Sequence, residues 1–541
     1  MTQPASQSNS SPQLLHPPCN LVGADWIPIG GGGDRLTTTN PAHPDRVVFQ
    51  CSPLLSHVGP AVAAARAALP AWSRVPQDRR FAVLRRYAEL CKQHAQRMAD
   101  VICDEVGKVM WEAKAEASIL AGKVDITLDP ARESGLHRVS DFDIKLSGTR
   151  TGRCTFKPHG VVGVLGPFNF PAHLPNGHIV PALAMGNTVV FKPSDKAPAV
   201  GQALVELFDL ALREVLGADG GGGYIPGVVN LVQGRADVAS ALVRHEGIDA
   251  VAFTGSWPVG RKILEANLDR PGRIVALELG GSNPGVVMPD ADLKLAAIEL
   301  VRSAYVTTGQ RCTCTRRAII HEAVATKLIP LIQKLASTLI IADPRASHPV
   351  FTGPINNAGA RDAVLTFQRD AARAGADALI ESVPVTSLGD GYYLTPSLLR
   401  VDRFTPDQPA YGPSGLTNPG CDVEVFGPLL RFTTVRDLDE AIEQANASRY
   451  GLAASIFTND AAAQDRFIAE CRAGCINVNT GTAGASSKLP FGGLGLSGNH
   501  RPAGSFALDY CAYPVASMIE SQPGAGMTLA EGMRFDDAWI K

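Results

Sequence analysis

From residue 160 onward the apolar positions bunch into short continuous runs separated by longer mixed stretches. The first runs are 161–165, 188–191, 228–232, 250–253 and 273–277, with helix-compatible segments between them. Continuous apolar strands alternating with helices predict a parallel sheet covered on both faces. A second series starts at 284–288 and continues through 316–320, 429–435, 453–457 and 475–478. The chain therefore reads as two successive α/β units, and no sequence repeat relates them. Earlier in the chain the period changes. Phe81, Leu84, Ala88, Cys91, Ala95, Met98 and Ile102 recur every three or four positions. They predict one long helix with a single apolar stripe, on which Cys91 reads as a core thiol. Residues 141–147 and 150–158 are extended segments about Ser147-Gly148-Thr149, a hairpin signal. Residues 1–18 are polar and rich in Ser, Gln and Pro, and read as a mobile tail. Residues 402–422, rich in Pro and Gly, read as a long surface loop.

Composition narrows the class. The 541 residues suggest three to four domains. Lys and Arg number 50 and Asp and Glu 52, a net charge of −2. No basic balance points to nucleic acid, and no acidic run reads as a solvating tail. Charged residues are 19% and hydrophobic ones 45%, which predicts a well-buried globular protein. The 53 glycines and 39 prolines exceed the usual share, so many shaped loops are expected. Eleven cysteines are too sparse for a disulfide scaffold, and their odd number leaves at least one unpaired. With no basic and apolar leader pattern and no run of 18 apolar residues, neither secretion nor a membrane span is expected. A cytoplasmic location and reduced thiols follow as expectations.

Four local patterns carry candidate chemistry. Thr254-Gly255-Ser256-Trp257-Pro258-Val259-Gly260 follows an apolar strand and opens a helical run. Such a turn suits a pyrophosphate, although the strict G-x-G-x-x-G pattern is absent and a plain turn also fits. Lys192-Pro193-Ser194-Asp195 ends another strand, where a cation and an acid suit ribose hydroxyls; a solvated pair is the other reading. Gly309-Gln310-Arg311-Cys312-Thr313-Cys314 sets two thiols beside Arg311, Arg316 and Arg317. Nearby cations favour the nucleophilic thiolate. A buried Cys pair is an alternative, whereas a metal site is not expected, because C-x-C lacks a second Cys/His pair nearby. Glu278 ends an apolar strand before Gly280-Gly281. Burial there would raise its pKa and prepare a general base; a structural acid bonded to backbone is the alternative. Asn169, in Gly166-Pro167-Phe168-Asn169-Phe170-Pro171, could donate to a developing oxyanion or simply shape a turn.

Taken together, these residues resemble the aldehyde dehydrogenase superfamily. The matches are PFNF (167–170), FKPSD (191–195), FTGS (253–256), LELGG (277–281), GQRC (309–312), EVFGP (424–428) and PFGG (490–493), in the family order and over roughly 20–520. The resemblance implies Cys312 as nucleophile, Glu278 as general base, and Asn169 with the Cys312 backbone N–H as oxyanion hole. It implies cofactor contacts from Lys192, Ser194, Asp195, Gly255, Ser256, Glu424 and Phe426. Cys314 is then the neighbouring thiol. The implied chemistry is oxidation of a small-molecule aldehyde by NAD, through a thiohemiacetal and a thioester on Cys312. Asp195 is shorter than the Glu common at its position and disfavours a 2′-phosphate, so NAD is expected over NADP, with NADP still possible. A non-catalytic homologue would lack one of Asn169, Glu278 and Cys312, and all three are present. Acyl-CoA-forming chemistry is disfavoured by Glu278, which favours water as acyl acceptor.

A narrower resemblance lies in residues 169–181 (NFPAHLPNGHIVP), 309–314 (GQRCTC), 497–502 (SGNHRP) and 509–512 (DYCA). These are similar to the N-succinylglutamate 5-semialdehyde dehydrogenases of arginine catabolism, whose substrate carries two carboxylates; another semialdehyde or aldehyde is the alternative substrate. Gly484-Ala485-Ser486-Ser487 can offer donors to the distal end of such a substrate, with Ala485 and Ser486 foremost. Arg311 and His178 are further candidates, although His178 could simply pack on a helix and Arg311 could simply order its loop. The implied fold is a Rossmann-type NAD-binding domain (20–140 and 160–279), an α/β catalytic domain (280–477) and a small β oligomerisation element (141–159 and 478–520). Tails are expected at 1–19 and 521–541. The implied assembly is a homodimer or homotetramer, because a long hairpin leaves edges to pair.

Overall fold

A computed structural model describes residues 14–30, 34–217, 223–406, 420–524 and 527–541. The first series of apolar runs forms one sheet. Its order is Ile274–Glu278, Ala250–Thr254, Val161–Leu165, Thr188–Lys192, Val229–Leu231, Cys19–Val22 and Asp25–Pro28. The first five strands are parallel and the last two join antiparallel. Chain order reverses between Val161–Leu165 and Ala250–Thr254, which opens a crevice at their carboxyl ends. Helices cover both faces, and the residues of Val161–Leu165, Thr188–Lys192, Val229–Leu231 and Ala250–Thr254 are buried because each face is packed there.

The second series forms a second seven-stranded sheet. Its order is Asp377–Ile380, Ser397–Arg400, Leu429–Val435, Thr315–His321, Asn283–Val287, Ala453–Phe457 and Cys475–Val478. All neighbours are parallel except the first pair. Asp377–Ile380 and Ser397–Arg400 have no counterpart among the expected strands. The former is a half-exposed edge with no apolar run to mark it. The hairpin Phe142–Lys145 and Arg150–Pro158 pairs antiparallel, and Ala512–Glu520 adds a third strand along Arg150–Pro158.

Two expectations need correction. The stripe from Phe81 to Ile102 is carried by two helices, Gln77–Gln93 and Ala95–Val106, which meet at His94. No Gly or Pro marks that junction, so the periodicity runs through it. The tail expected over 1–19 is anchored from residue 14 on. The Leu15 and His16 N–H groups donate to the Glu206 carboxylate, His16 stacks on Trp26, and Cys19 already begins a strand. Residues 1–13, and 407–419 of the expected 402–422 loop, lie outside the described residues. Among the described residues no helix is long and apolar enough to cross a membrane. Among the described residues no disulfide joins any of the eleven cysteines.

Candidate active site

The loop after Val161–Leu165 sits at the crevice. Its Gly166 N–H donates to the Lys192 carbonyl, and its Asn169 side chain is buried. Asn169 Nδ2 donates to the Gln310 carbonyl at 2.9 Å, tying this loop to the segment that carries Cys312.

That segment follows helix Leu293–Tyr305 and is bent hard. Thr307, Thr308 and Gly309 take positive φ in succession (55°, 54° and 69°). A side chain at Gly309 would overlap the Gly427 carbonyl, so glycine is required there. The two threonines carry real strain. Glu112, from helix Met110–Thr127, holds them: its carboxylate accepts from Thr307 N–H (3.1 Å), Thr307 Oγ1 (2.5 Å) and Arg311 Nη2 (2.6 Å). Thr308 Oγ1 donates to the Gly353 carbonyl.

The bend separates the two thiols. Cys312 is half-buried and lines a cavity, whereas Cys314 is fully buried beside the Val306 carbonyl. Asn283 Nδ2 donates to both their carbonyl oxygens and fixes the backbone. The cations expected to favour the Cys312 thiolate are engaged elsewhere. Arg316 donates to the Gly309, Arg311 and Gly427 carbonyls, and Arg317 to those of Ser282, Gln444 and Ala445. Arg316 and Arg311 act on Cys314 instead. Burial, with Glu424 and Glu278 nearby, holds the Cys312 thiol above its ordinary range.

Glu278 is the last residue of the edge strand Ile274–Glu278 and is buried. The segment 497–499 runs along that edge: Leu279 N–H donates to the Ser497 carbonyl, and Asn499 exchanges bonds with Leu277 N–H and the Val275 carbonyl. Ala503 N–H then donates to Glu278 Oε1 at 3.2 Å, while the buried Oε2 has no partner. Burial pushes this carboxyl well above its ordinary pKa. Glu278 and Cys312 line the same cavity of about 200 Å³, the first at the end of a strand of one sheet and the second three residues before a strand of the other.

The residues expected at the cofactor surround the crevice. Lys192 is buried, its Nζ donates to the Pro193 carbonyl, and burial lowers its pKa to about 8, against the nearby Asp195. Ser194 and Asp195 are partly exposed beside it. Gly255 N–H donates to the Glu278 carbonyl. Ser256 precedes helix Trp257–Glu265, whose N-terminus has no side-chain cap and is free to meet an anion. Glu424 accepts from Gly281 N–H and is raised to about 7 by burial, against Arg316. A Cβ at Gly280 would overlap that carboxylate. Phe426 packs edge-on to Phe168. Lysine, two separate acids, an open helix N-terminus and an aromatic ring together form a set of groups that fits a dinucleotide.

All four residues expected at the substrate, Arg311, His178, Ala485 and Ser486, line the cavity with Cys312. Two are already engaged. Arg311 pairs with Glu112 and donates Nε to Thr307 Oγ1, so it orders its loop. His178 bonds Tyr510 OH at 2.7 Å, and burial lowers its pKa to about 3, leaving it neutral. Sequence reasoning missed Lys123, which lines the same cavity, and Glu112 and Glu116, which brace its wall. All three lie on helix Met110–Thr127 at spacings of four and seven, beside the apolar stripe of Ala113, Ala117, Leu120 and Val124. That continuation of the buried face by charges was the available signal.

The model of the Aldehyde dehydrogenase family matches residues 29–514. N-succinylglutamate 5-semialdehyde dehydrogenase 2 of Caulobacter vibrioides is 41% identical over 497 residues, covering 91% of this chain and 94% of its own. The N-succinylglutamate 5-semialdehyde dehydrogenase of Novosphingobium aromaticivorans is 41% identical over 475 residues, covering 88% and 94%. Among solved structures, lactaldehyde dehydrogenase from Escherichia coli superposes with a TM-score of 0.83 at 26% identity, covering 93% of this chain and 99% of its own. NADP-dependent glyceraldehyde-3-phosphate dehydrogenase from Bacillus halodurans C-125, solved with NADP, gives 0.81 at 28% identity, covering 94% and 100%.

Proposed function

The chain belongs to the aldehyde dehydrogenase family, and from that premise we propose that it oxidises N-succinyl-L-glutamate 5-semialdehyde to N-succinyl-L-glutamate. Cys312 is the nucleophile, Glu278 the general base and Asn169 an oxyanion donor. The observation that carries this reading is the facing of a half-buried thiol and a buried, partly unpartnered carboxylate across one cavity. Glu278 takes the Cys312 thiol proton and passes it to solvent, and the resulting thiolate attacks the aldehyde carbon to form a thiohemiacetal. The Asn169 amide, with one N–H on the Gln310 carbonyl and a second to spare, and the Cys312 N–H stabilise the alkoxide. Bound NAD(P)⁺ supplies the acceptor for the hydride lost from that carbon. Glu278 then takes a proton from water, which attacks the thioester, releases the carboxylic acid and frees the thiolate.

Lys192, Ser194, Asp195, Gly255, Ser256, Glu424 and Phe426 hold the cofactor. NAD is preferred, since the Asp195 carboxylate opposes a 2′-phosphate. The substrate assignment rests on relatives with that printed activity, each about 40% identical over most of the chain. Residues 20–140 and 160–279 form the cofactor domain, 280–477 the catalytic domain, and 141–159 with 478–520 the bridging element. Exposed Phe142, Ile144 and Met518 on the outer sheet favour a homodimer or homotetramer. Eleven cysteines with no disulfide among the described residues favour the reducing cytoplasm. The test is purified protein with this semialdehyde and NAD⁺ or NADP⁺, followed by absorbance of the reduced cofactor. NADH formation with the semialdehyde is expected; turnover confined to neutral aliphatic aldehydes refutes the substrate.

A further inference from the structure

Three lysines are buried among the described residues: Lys108, Lys123 and Lys192. Lys108 is paired with Glu116 at 2.5 Å. Lys192, at the cofactor crevice, is near Asp195 and Asp237. Lys123 differs from both. Among the described residues it forms no ion pair, and its Nζ makes one hydrogen bond, to the Gly504 carbonyl at 2.7 Å. The Cys511 thiol lies near it. An ammonium has three N–H donors and is costly to bury without a counter-charge. Burial accordingly lowers its pKa to about 8.

Lys123 lines the cavity that holds Cys312 and Glu278. His173, on the same wall, has a buried Nδ1 with no hydrogen-bond partner, and burial keeps its ring neutral. Arg311, the other cation of the cavity, already has its carboxylate in Glu112. The missing counter-charge therefore faces the space that the aldehyde must enter.

We propose that Lys123, beside the buried ring of His173, binds a carboxylate of the substrate and makes the enzyme selective for anionic aldehydes. This rests on the aldehyde-oxidising site described above and names the group that recognises its substrate class. Lys123 is a specificity-determining residue, remote from the bond changes at Cys312.

The test compares the wild type with Lys123→Met and Lys123→Gln on three aldehydes: N-succinylglutamate 5-semialdehyde, 5-oxopentanoate and pentanal. The glutamine can still donate to Gly504, which keeps the test open should the methionine variant fold poorly. The readout is the kcat/KM of each anionic aldehyde divided by that of pentanal. In both variants this ratio falls at least tenfold, through KM for the anionic aldehydes, and Lys123→Arg restores part of it. A ratio within twofold of wild type in folded variants overturns the proposal, as does an equal loss on all three aldehydes. Should the wild type ignore the succinylated substrate yet lose its preference for 5-oxopentanoate over pentanal in Lys123→Gln, the Lys123 subsite stands and only the named substrate falls.

Discussion

Glu112→Ala tests how the nucleophile is held in place. Two non-glycine residues with φ near +55° cost about 1–3 kcal/mol each, so Thr307 and Thr308 store about 2–6 kcal/mol. The Glu112 carboxylate accepts three hydrogen bonds from this segment, each worth about 1.5–3 kcal/mol for a charged acceptor. The clamp thus outweighs the strain by a small margin, and removing it turns the balance by several kcal/mol. Each ~1.4 kcal/mol is tenfold in the population of the bent conformer. A shift of about 1 Å in a reacting group can itself cost about 100-fold. The pre-steady-state burst of NADH should therefore slow at least ~100-fold in Glu112→Ala. Alkylation of Cys312 by iodoacetamide, read by peptide mass spectrometry, should change with it. Glu112→Gln, which keeps an acceptor and loses the charge, should fall between. A folded Glu112→Ala enzyme with a burst rate within threefold of wild type would refute the clamp argument.

Glu278 gives a pH signature. Its carboxyl is held well above the ordinary value, so the basic form grows as pH rises. Thioester hydrolysis should speed up from pH 6 to pH 9 in wild type and stay slow and flat in Glu278→Gln; a flat wild-type rate would remove Glu278 as base. At Gly280 a side chain would displace the Glu424 carboxylate. Gly280→Ala should raise the KM for NAD⁺ at least tenfold while the variant still folds, and an unchanged KM would take Glu424 out of the cofactor site. Cys314→Ala should reduce turnover without abolishing it, because this thiol faces the core; complete loss in a folded variant would reopen the choice of nucleophile.

The strands were legible wherever both faces are buried. Val161–Leu165, Thr188–Lys192 and Ala250–Thr254 lie within a residue of the apolar runs that predict them. Asp377–Ile380 was not legible, since an edge strand needs no apolar run. The break at His94 was hidden because the helical period continues across it. At the site, the places of Asn169 in the loop after a strand, Glu278 at a strand's end and Cys312 just before a strand were legible. The charge environment was not. Arg316 and Arg317 are near Cys312 in sequence, but they lie on strand Thr315–His321 and alternate across its two faces. Each is spent on backbone carbonyls. Lys123 and Glu112 were missed for the opposite reason: charges on a helix ordinarily mark its solvent face. Here they mark the wall of a cavity.

The central claim is covalent oxidation on Cys312 with Glu278 as the base that completes it. Glu278→Gln mixed with NAD⁺ and N-succinylglutamate 5-semialdehyde, quenched in acid and digested, reads that claim directly. The account predicts about one NADH per subunit and then a stall, with the acyl group on the peptide carrying Cys312 and lost in Cys312→Ala. An acyl group on Cys314, or steady NADH formation with no adduct, would contradict it.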